Sequence, residues 1–224
     1  MIGTLNEGSL HAQIKAWYRR PGDRVECPVD GYVIDLVRGE TLIEIQTGGF
    51  APLRRKLERL LEEHSVRLVV PVALERRIVR LSRDGEILSA RRSPKRGRAE
   101  DVFARLVSLP ALLARPGFEL EVLLTHEDEL RRHEPGRAFR RHGWVVAGRA
   151  LRSVEETVRL STPAEAAALL PQLPERFDTA ELAAAGGWTR RLAQQTTYCL
   201  RAMQVLEADG RRGRAVLYRR AGSC

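Results

Sequence analysis

Lysine is almost missing from this basic chain: Lys15, Lys56 and Lys95 stand beside 35 arginines. Cysteine is scarce as well. Cys27, Cys199 and Cys224 make no C-x-x-C pair and no even set, which excludes a disulfide framework and a zinc ribbon. Long apolar runs are lacking; residues 68–74 form one of the longest, far short of the roughly 20 residues a membrane-spanning helix needs. The opening residues, Met1-Ile2-Gly3-Thr4-Leu5-Asn6-Glu7, have neither a basic n-region nor an apolar h-region. No membrane partner is expected, and the chain reads as cytoplasmic.

What is present is a chain of 224 residues with 43% apolar side chains, enough for one or two domains with a real core. A net charge of +9 favours a polyanionic partner, because arginine and lysine neutralise phosphates and release counterions. The arginine skew fits bidentate phosphate recognition, and it equally fits a GC-rich genome or a thermophilic source. The excess is not uniform. Residues 1–74 carry 10 basic and 10 acidic side chains, residues 75–176 carry 20 and 15, and residues 177–224 carry 8 and 4. A neutral first segment suits acids with local work, beside basic segments that hold an anion or present ordinary solvated faces.

The spacing of Leu10, Ile14, Trp17 and Tyr18 predicts a helix over residues 7–18, with Asn6 as its N-cap. Glu7 falls on its buried face, as a dipole-compensating residue or a functional acid. Three β-type runs follow Pro21-Gly22-Asp23, at residues 24–29, 31–37 and 41–47. A type II′ turn at Gly39-Glu40 would pair Arg38 with Thr41, Val37 with Leu42 and Leu36 with Ile43. It would also set Asp35 opposite Glu44 on one face, with Gln46 two residues along. Opposed carboxylates need a cation or a proton between them, and a divalent metal would supply one. A turn one residue longer would separate the acids. Pro52 then starts a helix to about residue 63 with Leu53, Leu57, Leu60 and Leu61 as its stripe, and residues 66–73 read as a buried parallel strand.

That α-β-β-β-α-β order, with Asp35 followed by Glu44-Ile45-Gln46, resembles the PD-(D/E)XK nuclease superfamily. Gly31 before the Asp and Thr47-Gly48 after the motif are similar in texture to its RecB-like and Holliday-junction-resolvase-like branches. The likeness covers residues 5–74, about a third of the chain. It implies a restriction-endonuclease-like α/β core with a mixed sheet and Mg²⁺ or Mn²⁺ as cofactor. Asp35, Glu44 and the Ile45 carbonyl would be metal ligands, and Glu7 an assisting acid. Gln46 takes the place usually held by lysine; an amide can orient water but brings no positive charge. Lys56 would contact a phosphate or lie on a solvated face. The Gln-x-x-x-Tyr helix that RecB-like enzymes carry after the core is not found there; Gln194 and Tyr198 have its spacing in a much later element.

Beyond the core, residues 77–90 read as a hairpin about Asp84-Gly85, and residues 91–98 as a mobile loop with five basic residues. A helix over residues 99–113 and a strand over 118–124 could extend the sheet. Residues 127–132 and the cluster Arg137, Arg140, Arg141 and His142 find no place in the pattern. His126, His133 and His142 lack metal-ligand spacing and read as surface residues.

Near the end, residues 177–183 start a short capped helix, Gly186-Gly187 turns, and a longer helix runs over residues 188–203. Two short strands then flank a basic turn. This order resembles a winged helix-turn-helix, a small α+β domain. The likeness implies DNA contacts from Arg190, Arg191, Gln194 and Gln195 on the second helix and from Arg211, Arg212 and Arg214 in the hairpin, or a protein-docking role. The expected domains are residues 1–160, a linker over 161–176 with three prolines, and residues 177–224. The expected function is metal-dependent DNA endonuclease-like hydrolysis of phosphodiesters, with a homodimer to cut both strands. The alternative is a catalytically inactive DNA-binding or regulatory protein that keeps the fold.

Overall fold

The computed structural model describes residues 9–222, so the expected N-cap Asn6 and the acid Glu7 lie outside the described residues. Ser9 caps the first helix, α1 (Leu10–Tyr18), its hydroxyl accepting the Ala12 N–H. Leu10, Ile14 and Tyr18 are buried, while Trp17, expected on the same stripe, is half exposed. Three strands follow: β1 (Arg24–Val29), β2 (Tyr32–Arg38) and β3 (Thr41–Ile45). The β2–β3 register is the expected one at Arg38↔Thr41, Val37↔Leu42 and Leu36↔Ile43. Gly39 alone of the two turn residues has a positive φ, +57°, as a type II′ turn requires.

A 3-10 turn at Ala51–Leu53 takes up Pro52 and leads into α2 (Arg54–Leu60), which is shorter than its apolar stripe suggested. The next strand, β4 (Ser65–Leu81), runs parallel to β3 from Thr41↔Ser65 to Ile45↔Val69. It does not stop at residue 73. A bulge at Ala73/Glu75 keeps it in register with β6 (Phe118–His133), and the expected first strand of the hairpin is simply its distal half. That half pairs antiparallel with β5 (Ile87–Arg92).

The expected helix over residues 99–113 breaks into a 3-10 turn at Ala99–Val102, α3 (Phe103–Leu106) and a second 3-10 turn at Leu112–Ala114. Pro110 accounts for the break: it has no N–H and disfavours the helical conformation at Leu109. The strand expected over 118–124 extends to His133 and absorbs residues 127–132. Its antiparallel neighbour β7 (Trp144–Leu160) was not anticipated, and the Arg137 to His142 cluster lies in the connection between the two.

The sheet therefore has seven strands in the order β1-β2-β3-β4-β6-β7, with β5 on β4, and it is mixed: β3–β4 and β4–β6 are parallel. Apolar clusters cover both faces. On one, Leu10, Ile14 and Tyr18 of α1 meet Leu36, Ile43, Ile45, Val69 and Leu123. On the other, α2 and α3 pack through Leu57, Leu60, Phe103 and Leu106 onto Leu68, Val70 and Val122.

The chain after β7 adds to that second layer. Residues 161–176 carry α4 (Pro163–Ala168), opened by a Thr162/Glu165 capping box. Next is α5 (Thr179–Gly186), capped by Asp178 and ended by Gly187 at φ +60°. Then comes α6 (Arg190–Ala202), which starts two residues later than expected because Thr189 is its N-cap. A separate two-stranded sheet, β8 (Leu206–Arg212) with β9 (Ala215–Arg220), closes the described chain. Leu182, Leu192, Ala193 and Leu200 join the same apolar cluster as Phe103. None of the helices among the described residues is long and apolar enough to cross a membrane.

A half-buried ion pair is one of those that join β4 and β6. Arg77 and Asp128 face each other across β4 and β6, with Nε to Oδ1 at 2.8 Å and Nη2 to Oδ2 at 2.6 Å. Asp128 is 2% exposed. Asp128→Ala leaves a guanidinium that is 37% exposed without its partner and is expected to lower unfolding free energy by about 2 kcal/mol, less than for a wholly buried pair because water takes up part of the charge. Urea denaturation checks this; a loss below about 1 kcal/mol would class the pair with ordinary surface bridges.

Candidate functional site

Asp35 sits at a distortion in β2. The ladder to β1 skips it, passing from Cys27↔Ile34 to Val25↔Leu36, and the ladder to β3 ends at Leu36. Ile34 and Leu36 would share a face in a regular strand, yet they join the clusters on opposite faces of the sheet. The strand thus changes face at Asp35. Glu26, the skipped residue on β1, has φ +52°, a conformation that costs a non-glycine residue energy and tends to gather at functional sites.

The Asp35 carboxylate takes up the bonds the ladder leaves. Its Oδ2 accepts the Ile45 N–H at 3.0 Å and lies 3.0 Å from His11 Nε2, and its Oδ1 is 3.6 Å from Lys15 Nζ. His11 and Lys15 are one turn apart on α1, so one helix face brings both to the acid. Lys15 also donates to Glu26 at 2.7 Å; that bond, and Asp35 behind it, hold its ammonium more firmly charged than usual.

Glu44 occupies the middle of β3 at 6% exposure. Lys56 from α2 places Nζ 2.5 Å from its Oε1 and donates to the Val33 carbonyl at 2.7 Å. Burial pushes the Glu44 carboxyl above its usual 4.5; Lys56 opposes this, and the Asp35 charge reinforces it. The acids are therefore electrostatic neighbours, as the register implied. They do not share one face: Asp35 reaches α1 and Glu44 reaches α2.

Gln46 follows at the end of β3, where its N–H donates to Val69 O and its Nε2 to Gly49 O at 2.6 Å. Two arginines brace this segment from elsewhere in the chain. Arg105 donates to Gln46 O at 3.5 Å and Pro71 O at 3.0 Å, and Arg149 to Thr47 O at 3.2 Å. Burial, and then the neighbouring charges of Arg149 and Arg76, make the Arg105 cation easier to discharge than usual.

Sequence reading missed His11, Lys15 and Arg105. The i, i+4 spacing of His11 and Lys15 beside an apolar stripe was a readable signal; Arg105 had none, because only the tertiary fold brings it to β3. Lys56 is neither a solvated face residue nor free, being held on Glu44.

As a metal site, Asp35, Glu44 and the Ile45 carbonyl are hard oxygen donors of the kind Mg²⁺ takes with water. Burial, reinforced by the Asp35 charge, raises Glu44; Lys56 opposes that rise, and a divalent cation on the acid would oppose it too. The donor set fits. Elsewhere, Asp30, Glu63 and His64 bring ligand atoms within 4.8 Å of one another at the surface.

The basic residues divide between two surfaces. On α6, Arg190, Arg191 and Gln194 are exposed, and Arg191 with the half-buried Gln195 also lines a cavity against the body of the protein. In the C-terminal hairpin Arg212 is bound to Glu181 at 2.7 Å, whereas Arg211 and Arg214 are exposed. The loop expected to be mobile is pinned to β4, with Ser93 N–H on Arg76 O at 2.7 Å and Gly97 N–H on Ala73 O at 3.0 Å. Of the three histidines read as surface residues, His133 and His142 are exposed, and His126 is half-buried beside Glu155.

Comparison with known proteins gives two findings. A family model described as "Domain of unknown function (DUF8091)" matches residues 8–161, the span that holds the whole seven-stranded sheet. An "Uncharacterized protein" of Treponema pallidum (strain Nichols) is 29% identical over 227 residues, covering 98% of this chain and 87% of the relative, so the similarity runs on through the C-terminal helices and hairpin. No solved structure matches.

Proposed function

We propose that this chain, which belongs to the DUF8091 family, is a metal-dependent DNA endonuclease-like protein of PD-(D/E)XK type that hydrolyses phosphodiester bonds. The observation that carries the reading is the Asp35 and Glu44 pair at a distortion between β2 and β3, with the Lys56 ammonium 2.5 Å from Glu44. Asp35, Glu44 and the Ile45 carbonyl would hold Mg²⁺ or Mn²⁺, which when bound polarises phosphoryl oxygens and acidifies water. Lys56 provides the positive charge that Gln46 cannot. Gln46, held by Gly49, is the water-orienting amide, and Glu7 is the assisting acid from the first segment.

The α5-α6-β8-β9 unit fits a winged helix-turn-helix that docks on DNA. Arg190 and Gln194 would face the groove, and Arg211 and Arg214 the backbone. A homodimer would place two sites for two strands.

Plasmid and branched-DNA cleavage with Mg²⁺ or Mn²⁺ tests the reading. Activity lost in Asp35→Ala and Glu44→Ala supports it. Gln46 at the lysine position favours a second reading, a noncatalytic DNA-binding protein; salt-sensitive binding without cleavage by any form would establish that one instead.

Acidity gives a further check. Since burial raises Glu44, its proton is gained on acidification earlier than for an ordinary glutamate. Cleavage is therefore expected to fall on an acid limb centred above pH 4.5 and to recover with added metal, which competes with the proton. A limb at or below the ordinary value would remove Glu44 as the titrating ligand.

A further inference from the structure

Between the middle of β4 and the C-terminal helices lies an open cavity of about 650 Å³, the size of a small-molecule site. Its wall carries Arg76, Lys95, Arg96, Arg98, Arg105 and Arg191, against a single acid, Asp101. Asp101 is already committed, accepting the Arg98 backbone N–H. Arg96 is neutralised by Glu75 at 2.7 Å, and Arg76 lies near Glu127 and Glu129. Among the described residues, Lys95, Arg105 and Arg191 are in no ion pair. Three cations border one space with no ion-pair partner of their own, and although Glu127 and Asp101 favour the Arg105 charge from nearby, burial first and then like neighbours leave it disfavoured. An anion in the cavity would relieve this.

The walls are built rather than incidental. A Cβ at Gly97 would fall 2.4 Å from Ala73 O, so only glycine lets the basic loop lie this close to β4. Arg98 donates to Gly186 O at 2.6 Å, locking that loop to the α5–α6 turn. Gly186 in turn packs against the Trp188 indole, where a Cβ would fall 2.5 Å from Cε2. The ring is thus fixed in place, and it lines the cavity beside Leu192 and the amide of Gln195.

We infer that this cavity binds a nucleoside phosphate, its phosphate among Lys95, Arg105 and Arg191 and its base against Trp188 with Gln195 at the base edge. Arginine forks suit phosphate oxygens, and an indole face beside a cationic wall suits a base. This does not rest on the nuclease reading, since Asp35 and Glu44 are not part of the lining. The same chemistry is offered by a free nucleotide and by the phosphorylated end of a nucleic-acid strand.

Calorimetric titration of the full chain tests the inference with four probes: adenosine monophosphate, inorganic phosphate, and a short oligodeoxynucleotide with and without a 5′-phosphate. Adenosine monophosphate is expected to bind at least about tenfold more tightly than phosphate, a gap of about 1.4 kcal/mol. Lys95→Ala and Arg191→Ala, both at exposed positions, are each expected to weaken it about tenfold with the circular dichroism spectrum unchanged. Trp188→Phe is expected to weaken it less and to abolish ligand-induced quenching of indole fluorescence. A 5′-phosphorylated strand binding more tightly than the mononucleotide would identify a strand end as the source, and the reverse a free nucleotide. Three results would overturn the assignment: no binding by any probe, phosphate as tight as the nucleotide, or affinity unaffected by Lys95→Ala and Arg191→Ala.

Discussion

Asp35→Ala and Glu44→Ala are each expected to reduce metal-dependent DNA cleavage by at least about a thousandfold, equivalent to about 4 kcal/mol of transition-state stabilisation. On the proposed reading the two losses should not add, because either acid alone would leave a metal without its paired ligand. Their side effects should differ. Asp35→Ala removes an acceptor from the Ile45 N–H and leaves His11 and Lys15 facing a gap, so α1 loses a tether at the sheet. Glu44→Ala leaves the Lys56 ammonium beside the Val33 carbonyl in a half-buried place. Asp35→Asn and Glu44→Gln keep the shape and remove only the charge. The telling result is loss of cleavage in these isosteres at unchanged thermal stability. Full activity in either isostere would sink the assignment of that residue as a ligand.

Lys56→Met carries the second large effect. Methionine preserves much of the apolar stem that α2 lays over Tyr32, where the Lys56 ammonium lies 6.0 Å from the ring centroid, but takes away the charge. If Lys56 supplies the cation that the motif lacks at Gln46, cleavage should fall about a hundredfold, within the range seen when a single stabilising donor is removed. The acid limb should also move upward, because Lys56 now opposes the rise that burial imposes on Glu44. A purely structural lysine would lower stability and leave the limb in place. The reciprocal change, Gln46→Lys, should recover part of the activity in the Lys56→Met background.

The local parts of the fold were readable because local chemistry dictates them. The β2–β3 register follows from a two-residue turn with glycine where φ must be positive, and α5 from an Asp178/Glu181 capping box. The long strands were not readable. Residues 127–132 carry Glu127, Asp128, Glu129, Arg131 and Arg132, which no apolar pattern marks as strand. They lie in β6 because Arg76, Arg77 and Arg149 neutralise the acids from the neighbouring strands. The same holds at the candidate site. The register could be counted out along the hairpin as far as Leu36↔Ile43, but the shared face expected for Asp35 and Glu44 is lost where the strand changes face at Asp35. That change and the reach of Lys56 back to Glu44 depend on packing between elements distant in sequence.

The parallel core also sets an order of events in synthesis. Strand β4 pairs with β3 on one side and, along nearly its whole length, with β6 on the other. Both pairings are parallel and span long loops, which makes them slow to form. Asp35 and Glu44 leave the ribosome early, yet the strand that buries the far side of β4 is finished only at His133. The acids therefore pass through a stage in which they are made but not yet assembled, and the proposed site is complete only once more than half of the chain exists. The later half of the chain is thus a structural requirement of the earlier half, since β6 covers the side of β4 that β3 leaves open.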